Sequence, residues 1–420
     1  MAKLTVRDLD LRGKRVLMRV DYNVPMEEKA GQMVINDLTR IRETLPTLEF
    51  LIQKGARIIL AAHLGRPEGK REPSMSLRPV AAALVDLIHR PVAFIDDCVG
   101  ENVEKTVGAL QEGDILLLEN VRFCPGEESK DKSVRLPLAE KLARLADVFV
   151  NDAFGAAHRA HASTTTVAEV IAARGGACAA GLLMERELKF LGEELENPAR
   201  PFVVILGGAK VSDKLPVIDR LLDKADTILI GGAMAYTFQL AHGGKTGKSL
   251  VEPQQTKTAL AAEFKARERK VQFLLPTDTL IATPVDTGTL NKKGKPVFDF
   301  VNPRVNTGDI PDDAEGFDIG PETAKRYAAV IQGAKTILWN GPMGMFEDKR
   351  FAGGTNAIAQ AVVNATKAGA KSIIGGGDSV KALNQSGLGN DVTFMSTGGG
   401  ASLEFLEGKI LPGVASLTEK

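Results

Sequence analysis

Two lysines, a row of arginines and four runs of glycine carry most of the chemistry available to this sequence. Lys210 and Lys214 fall in PFVVILGGAKVSDK (201–214), where an apolar run from Phe202 to Leu206 ends in Gly207-Gly208. Such a run reads as a buried strand of a parallel sheet, and the pattern predicts a helix opening near Lys210. Four apart on a helix, the two ammonium groups would share a face and repel by ~0.2–0.5 kcal/mol. Both would also lie at the positive end of the helix dipole. A phosphate group would offset both penalties, meeting free backbone N–H groups and two cations together.

The remaining candidates fall just after other apolar runs. The first half offers cations: Arg40 in INDLTRI, His63 and Arg66 in HLGRP, Arg122 in ENVRF and Arg159 in HRAH. Asp21 and Asn23 in DYNVP add groups that recognise hydroxyls. One such arginine alone reads as a surface residue. Several of them after successive strands repel one another unless an anion intervenes, so a small ligand with carboxylate or phosphate groups is expected. The second half offers glycine pairs or triplets at 207–208, 231–232, 375–377 and 398–400. Each lets backbone N–H groups come close to a ligand, and STGGGAS, opening a helix over 401–408, reads as an anion cradle.

The elements that must hold these residues alternate in type. VLMRV, ARIILAAH, PVAFI, DILLLEN and DVFVN read as strands of the first half, separated by helix-length segments such as 38–54, 76–89 and 133–146. FVVIL, DTILIGG, VQFLLP, TILWNGP, SIIGGGD and VTFMSTGGG repeat the scheme in the second half, VQFLLP leading into a Thr/Asp-rich loop. The fold class expected is α/β, with two Rossmann-like lobes, each a parallel doubly wound sheet. The strongly helical stretch 183–200 reads as the connector between them. Ligands of such sheets bind outside the carboxyl ends of the strands.

Composition sets outer limits. A chain of 420 residues exceeds one ordinary core. Hydrophobic and charged contents of 44% and 25% are those of a globular protein. With 53 basic against 53 acidic residues there is no bulk charge to attract nucleic acid or an anionic membrane. The three cysteines, Cys98, Cys124 and Cys178, are too widely spaced for a zinc site and read as reduced thiols. No apolar run reaches bilayer length, and MAKLTVRDLDLRGKR is not a signal peptide, so a cytoplasmic location is expected. Two motifs fail. AHGGKTGKS (241–249) has His242 where a Walker A loop needs glycine, and no GxGxxG supports a dehydrogenase.

Taken together, DYNVP, HLGRP, SLRPVAAALVDL, FIDDCVG, LLLENVRF, NDAFGAAHRAHAST, ILGGAKVSDK, WNGPMGMFE, GGGDS and STGGGASLEFLEGK resemble the phosphoglycerate kinase family, in its order and over essentially the whole chain. INDLTRI and AFGAAHRAH differ from its wording only beside the key residues, and 281–315 is less like it. The resemblance implies a 3-phosphoglycerate-binding lobe (1–184), a connecting helix (185–200), a nucleotide-binding lobe (201–405) and a last segment (406–420) returning to the first lobe. It implies a phosphotransferase moving a phosphoryl group reversibly between 1,3-bisphosphoglycerate and MgADP, giving 3-phosphoglycerate and MgATP, in a monomer whose lobes close on their substrates. Asp21, Asn23, Arg40, His63, Arg66, Arg122 and Arg159 would then bind the glycerate. Lys214, Gly231, Gly232, Asn340, Glu347, Gly376, Gly377, Asp378 and Ser379 would bind nucleotide, with Asp378 on Mg²⁺. Arg40, Lys210, Lys214, Gly399 and Gly400 would face the moving phosphoryl group. A carboxylate or nucleotide phosphate is already ionised, so positioning and charge neutralisation suffice and no general base is needed. His158 and His161 accordingly read as supporting residues.

Overall fold

The computed structural model describes residues 3–291 and 294–420. The chain divides into two compact units: one runs to Lys189 and takes in Lys409–Lys420, and the other is Phe190–Gly408.

The first unit is built on six parallel strands in the order Ala93–Ile95, Ile115–Leu118, Arg57–Ala61, Arg15–Arg19, Val148–Asn151, Cys178–Ala180. Ile115–Leu118 and Val148–Asn151 are buried at every position, with no polar alternation, because the crossovers of a parallel sheet cover both faces. On one face Val16, Met18, Ile58, Leu60 and Leu117 pack with Leu48 and Leu51 of helix Thr39–Gln53 and with Val80 and Leu84 of helix Arg78–Ile88. The register sets Arg19 level with both Ala61 and Asn151, so the loops after three central strands leave from one edge. The chain's end belongs to this unit: Leu4 N–H donates to Thr418 O at 2.9 Å, and the Asn151 amide donates to Gly413 O at 3.0 Å.

In the second unit the parallel order is Gln272–Leu274, Thr227–Ile230, Phe202–Leu206, Thr336–Asn340, Lys371–Gly375, Phe394–Met395. The winding reverses between Phe202–Leu206 and Thr336–Asn340, which makes that pair the switch point where open sheets form a crevice. Asn340 is level with Leu206 on one side and Gly375 on the other.

Two sequence expectations are corrected. The helix after Phe202–Leu206 opens at Leu215, not near Lys210, and Lys214 is its N-cap. Pro216 fits the first turn, where its missing N–H is harmless, but an earlier start would place it in the helix interior. Lys210 and Lys214 therefore do not share a helical face. The Thr/Asp-rich stretch is not a loop: Thr279–Leu290, Pro296–Asn306 and Glu315–Ile319 form an antiparallel sheet. Pro284 argues against a strand in the sequence. It is accommodated because Glu315–Ile319 pairs only with Thr279–Ala282, leaving Pro284 a neighbour on one side alone. The run read as a connector is helical over Leu182–Leu188 and Glu194–Glu196 with a π turn, Lys189–Glu193, between, and the division into units falls at that turn.

Main chain meets main chain at the switch point. A Cβ on Gly207 would lie 2.0 Å from Pro342 O, and one on Gly341 would lie 2.1 Å from Gly207 O. Gly207→Ala should therefore lower the urea midpoint, by a destabilisation of about 1–3 kcal/mol. Gly108→Ala, at an exposed position of helix Glu101–Ala109 with open space around the new Cβ, should raise it by up to ~1 kcal/mol. An unmoved midpoint for Gly207→Ala would contradict this account.

Candidate active site

At the carboxyl edge of the first sheet the cations gather around a residue absent from the sequence-based candidates. Arg19, the last residue of its strand, is fully buried. Its Nε donates to Ser163 Oγ at 2.9 Å, and Ser163 Oγ donates to Glu127 Oε1 at 2.6 Å. Glu127 is buried as well, and burial raises its pKa against the pull of Arg19. Arg19 Nη2 lies 3.0 Å from His63 Nδ1. A guanidinium only donates, so Nδ1 accepts and the imidazole proton sits on Nε2. Burial, with Arg19 and Arg122 beside it, holds the His63 pKa well below its ordinary value. His63 is thus a neutral donor and not the cation its place in HLGRP suggested. His161 is likewise neutral, its pKa pulled down to about 3 by burial and by the same arginines.

The other predicted residues of this edge come together around this pair. Arg40 Nη1 binds Asp21 Oδ2 at 2.7 Å, and Asn23 Oδ1 accepts from Gly65 N–H at 2.9 Å, pinning the DYNVP loop to the HLGRP loop. Arg122 Nη1 donates to Gly65 O at 2.6 Å and Nη2 pairs with Glu128 at 2.8 Å. Its buried Nε has no hydrogen-bond partner among the described residues. Burial draws the Arg122 pKa down; Glu128 and Glu127 oppose this, while Arg159 and Arg66 add to it. Arg66 and Arg159 are exposed, and among the described residues neither has a carboxylate within salt-bridge range. The edge therefore holds more positive charge than it neutralises.

At the switch point of the second sheet, Lys214 Nζ donates to Asn340 Oδ1, while Asn340 Nδ2, buried, has no partner among the described residues. Burial lowers the Lys214 pKa, opposed by Asp213, Asp378 and Glu407. The loop carrying both lysines is anchored by Glu252, which accepts from Ser212 N–H at 2.9 Å and Ser212 Oγ at 2.7 Å. Lys210 is exposed. Helix Gly377–Gln385 starts beside Asn340, with Gly376 as N-cap and Asp378 in its first turn. Asp378 does not cap that helix, and among the described residues its exposed carboxylate has no hydrogen bond or ion pair. Ser379 Oγ instead accepts from Gly341 N–H at 2.5 Å, and exposed Glu347 lies 3.9 Å from Lys381.

The glycine runs separate into two kinds. Gly207, Gly208, Gly231 and Gly232 donate their N–H groups to Asn340, Pro342, Leu206 and Met343 carbonyls at 2.8–3.1 Å, so these glycines serve main-chain packing. Gly377, Gly399 and Gly400 face open space where a Cβ would sit. The expectation that all four runs present amides to a ligand is corrected to two. The failed Walker-like stretch is also structural: Lys248 N–H donates to Ala314 O at 2.8 Å.

One unit thus carries a cation-lined sheet edge, and the other a lysine and an open helix start at its switch point, two places suited to anions. The sequence model of the family "Phosphoglycerate kinase" matches residues 6–409. The phosphoglycerate kinases of Acidobacterium capsulatum and Moorella thermoacetica are 51% and 50% identical to the chain, each alignment covering all of both proteins. The structure of phosphoglycerate kinase from Coxiella burnetii superposes with a TM-score of 0.83 at 39% identity, over 99% of this chain and 98% of that one. The chain belongs to the phosphoglycerate kinase family.

Of the five imidazoles, those of His63 and His161 should show no NMR titration between pH 5 and 8, and a midpoint in that range for either would contradict the geometry. Unfolded, both rings take up a proton near pH 6.5, so each makes the fold less stable as pH falls through that value, by ~1.4 kcal/mol per unit. Asp152, fully buried with its pKa pushed to about 7, acts with the opposite sign. It holds its proton when folded and loses it when unfolded, so its contribution falls as pH rises from about 4 to 7.

Proposed function

We propose that the protein catalyses reversible phosphoryl transfer from 1,3-bisphosphoglycerate to MgADP, giving 3-phosphoglycerate and MgATP. Transfer is direct and in line, after closure of the two units on their substrates. The observation that carries this reading is the excess of guanidinium at the first sheet's edge, gathered around a neutral His63 whose Nε2–H is free to donate. Asp21, Asn23, Arg40, His63, Arg66, Arg122 and Arg159 bind the glycerate; the arginines take its carboxylate and phosphate oxygens, for which a planar fork is suited. Lys214, Asn340, Glu347, Gly376, Gly377, Asp378 and Ser379 bind the nucleotide, with Gly231 and Gly232 beside the adenine.

Asp378 fits Mg²⁺. It is an exposed carboxylate with no hydrogen bond or ion pair among the described residues, which hold no group of three or more His, Cys, Asp or Glu side chains that could form a complete metal cage. One carboxylate completed by substrate phosphate oxygens and water is the habit of this ion. When bound, Mg²⁺ supplies positive charge to the nucleotide phosphates. Lys214, held toward the switch point by Asn340, neutralises charge on the transferred oxygens with Lys210, Arg40 and the amides of Gly399 and Gly400. The attacking oxygen is already anionic, so no residue acts as base. Closure excludes water, which would otherwise hydrolyse the acyl phosphate.

With a net charge of zero, no nucleic-acid or membrane partner is proposed, no described helix is long and apolar enough to cross a membrane, and the working form is taken as a monomer. The deciding assay is ATP consumption dependent on 3-phosphoglycerate. Activity with Mg²⁺ and its loss with excess EDTA are expected; ATP consumption indifferent to 3-phosphoglycerate would refute the substrate. Lys214→Ala should lower kcat by roughly 10²–10³-fold while the KM for 3-phosphoglycerate changes little. Weaker glycerate binding at unchanged kcat would remove Lys214 from the transition state.

A further inference from the structure

Beside the turn that carries Arg122, two cysteines share one cavity. Strands Ala93–Ile95 and Ile115–Leu118 are parallel neighbours with Ile95 level with Leu118, and the loops that follow them carry Cys98 and Cys124 to one place. Both residues line a single cavity of about 370 Å³, together with Phe123, Pro125, Arg71 and Lys141. Cys98 is buried, its Sγ 3.2 Å from Glu119 O and 3.4 Å from Asn120 O; Cys124 is only half-buried. The neighbouring Cys124 thiol and then burial hold the Cys98 thiol well above the ordinary range. Cys178 is elsewhere, buried in its strand and donating to Ala168 O at 3.2 Å.

We propose that Cys98 and Cys124 are a modification site, a pair that a hydroperoxide closes into a reversible disulfide and that thereby displaces the turn bearing Arg122. Cys124, with access to solvent and a lysine on the cavity wall, meets the oxidant first. Its sulfur takes the terminal oxygen as the O–O bond breaks, giving a sulfenic acid and releasing the alcohol, or water from hydrogen peroxide. The Cys98 sulfur then attacks the Cys124 sulfur. The S–S bond forms, the S–O bond breaks and water leaves, so the two thiols lose two electrons and two protons to the peroxide.

The link to Arg122 is short. In the reduced pair the Cys98 thiol faces the carbonyls of Glu119 and Asn120, and Asn120 Oδ1 caps the turn Val121–Phe123 by accepting from Arg122 N–H at 3.1 Å. Bonding Cys98 to Cys124 removes its thiol proton from those carbonyls and pulls on the far end of the same turn. This part rests on the reading of Arg122 as a glycerate ligand.

The full chain is treated with hydrogen peroxide, then assayed for thiols under denaturing conditions, for intact mass and for its Michaelis constant with glycerate phosphate as the varied substrate. Titratable thiols should fall from three to one, with loss of two hydrogens and a cross-link between the peptides holding Cys98 and Cys124. The KM should rise by about threefold or more, dithiothreitol should reverse both changes, and Cys98→Ser should keep its KM after the same treatment. Three surviving thiols, oxygen added to Cys124 without a cross-link, a cross-link that leaves KM unmoved, or an equal KM rise in Cys98→Ser would each overturn the proposal. If untreated protein shows no 3-phosphoglycerate-dependent activity, it is the substrate reading that fails, and the thiol count and mass decide the pair by themselves.

Discussion

Like charges gathered at one sheet edge repel unless something negative lies among them, and the first unit is arranged around that repulsion. Glu127 and Glu128 neutralise its inner part, where Arg19 is wholly buried and Arg122 largely so. The outer part, Arg66 and Arg159, is left to solvent without carboxylate partners among the described residues. A buried guanidinium is tolerable only with its donors occupied. Arg19 meets this through Ser163, Val20 O and His63. The unpartnered Nε of Arg122 is the exception, and a ligand oxygen is the kind of group that would complete it.

The neutral imidazoles follow from the same field. A protonated His63 would add a charge between Arg19, Arg122 and Arg40, so the ring stays neutral and its one proton is placed on Nε2 by the guanidinium at Nδ1. Its tautomer is thus set from behind by the row Glu127–Ser163–Arg19. In the second unit the organising constraint is steric. Strand ends after Leu206, Ile230 and Asn340 lie so close that only glycine fits between them, and the resulting rigid floor fixes Asn340, hence the ammonium of Lys214.

What the sequence determined by itself was the α/β class, the two parallel sheets and most of the charged residues that stand at the two sheet edges. Apolar runs of four or five residues followed by Gly, Asn or Asp report a buried parallel strand and its exit loop, and both signals are local. The ordered motifs from DYNVP to STGGGAS carried the family as well.

What only the tertiary structure decided depends on neighbours distant in the chain. Arg19 stood inside an apolar run and looked like part of a strand; its role appears once Ser163 and His63 are beside it. Glu127 and Glu252 sit in stretches without a motif, and each matters because it accepts hydrogen bonds from a serine in another loop. The charge of His63 depends on burial, and the sorting of glycines into packing and open positions depends on what a Cβ would meet across the sheet. The antiparallel sheet of Thr279–Leu290, Pro296–Asn306 and Glu315–Ile319 stayed hidden in part because Pro284 lies beside a missing third strand, a fact of pairing and not of local sequence. Periodicity along a chain reports which face is buried; it does not report what that face is buried against.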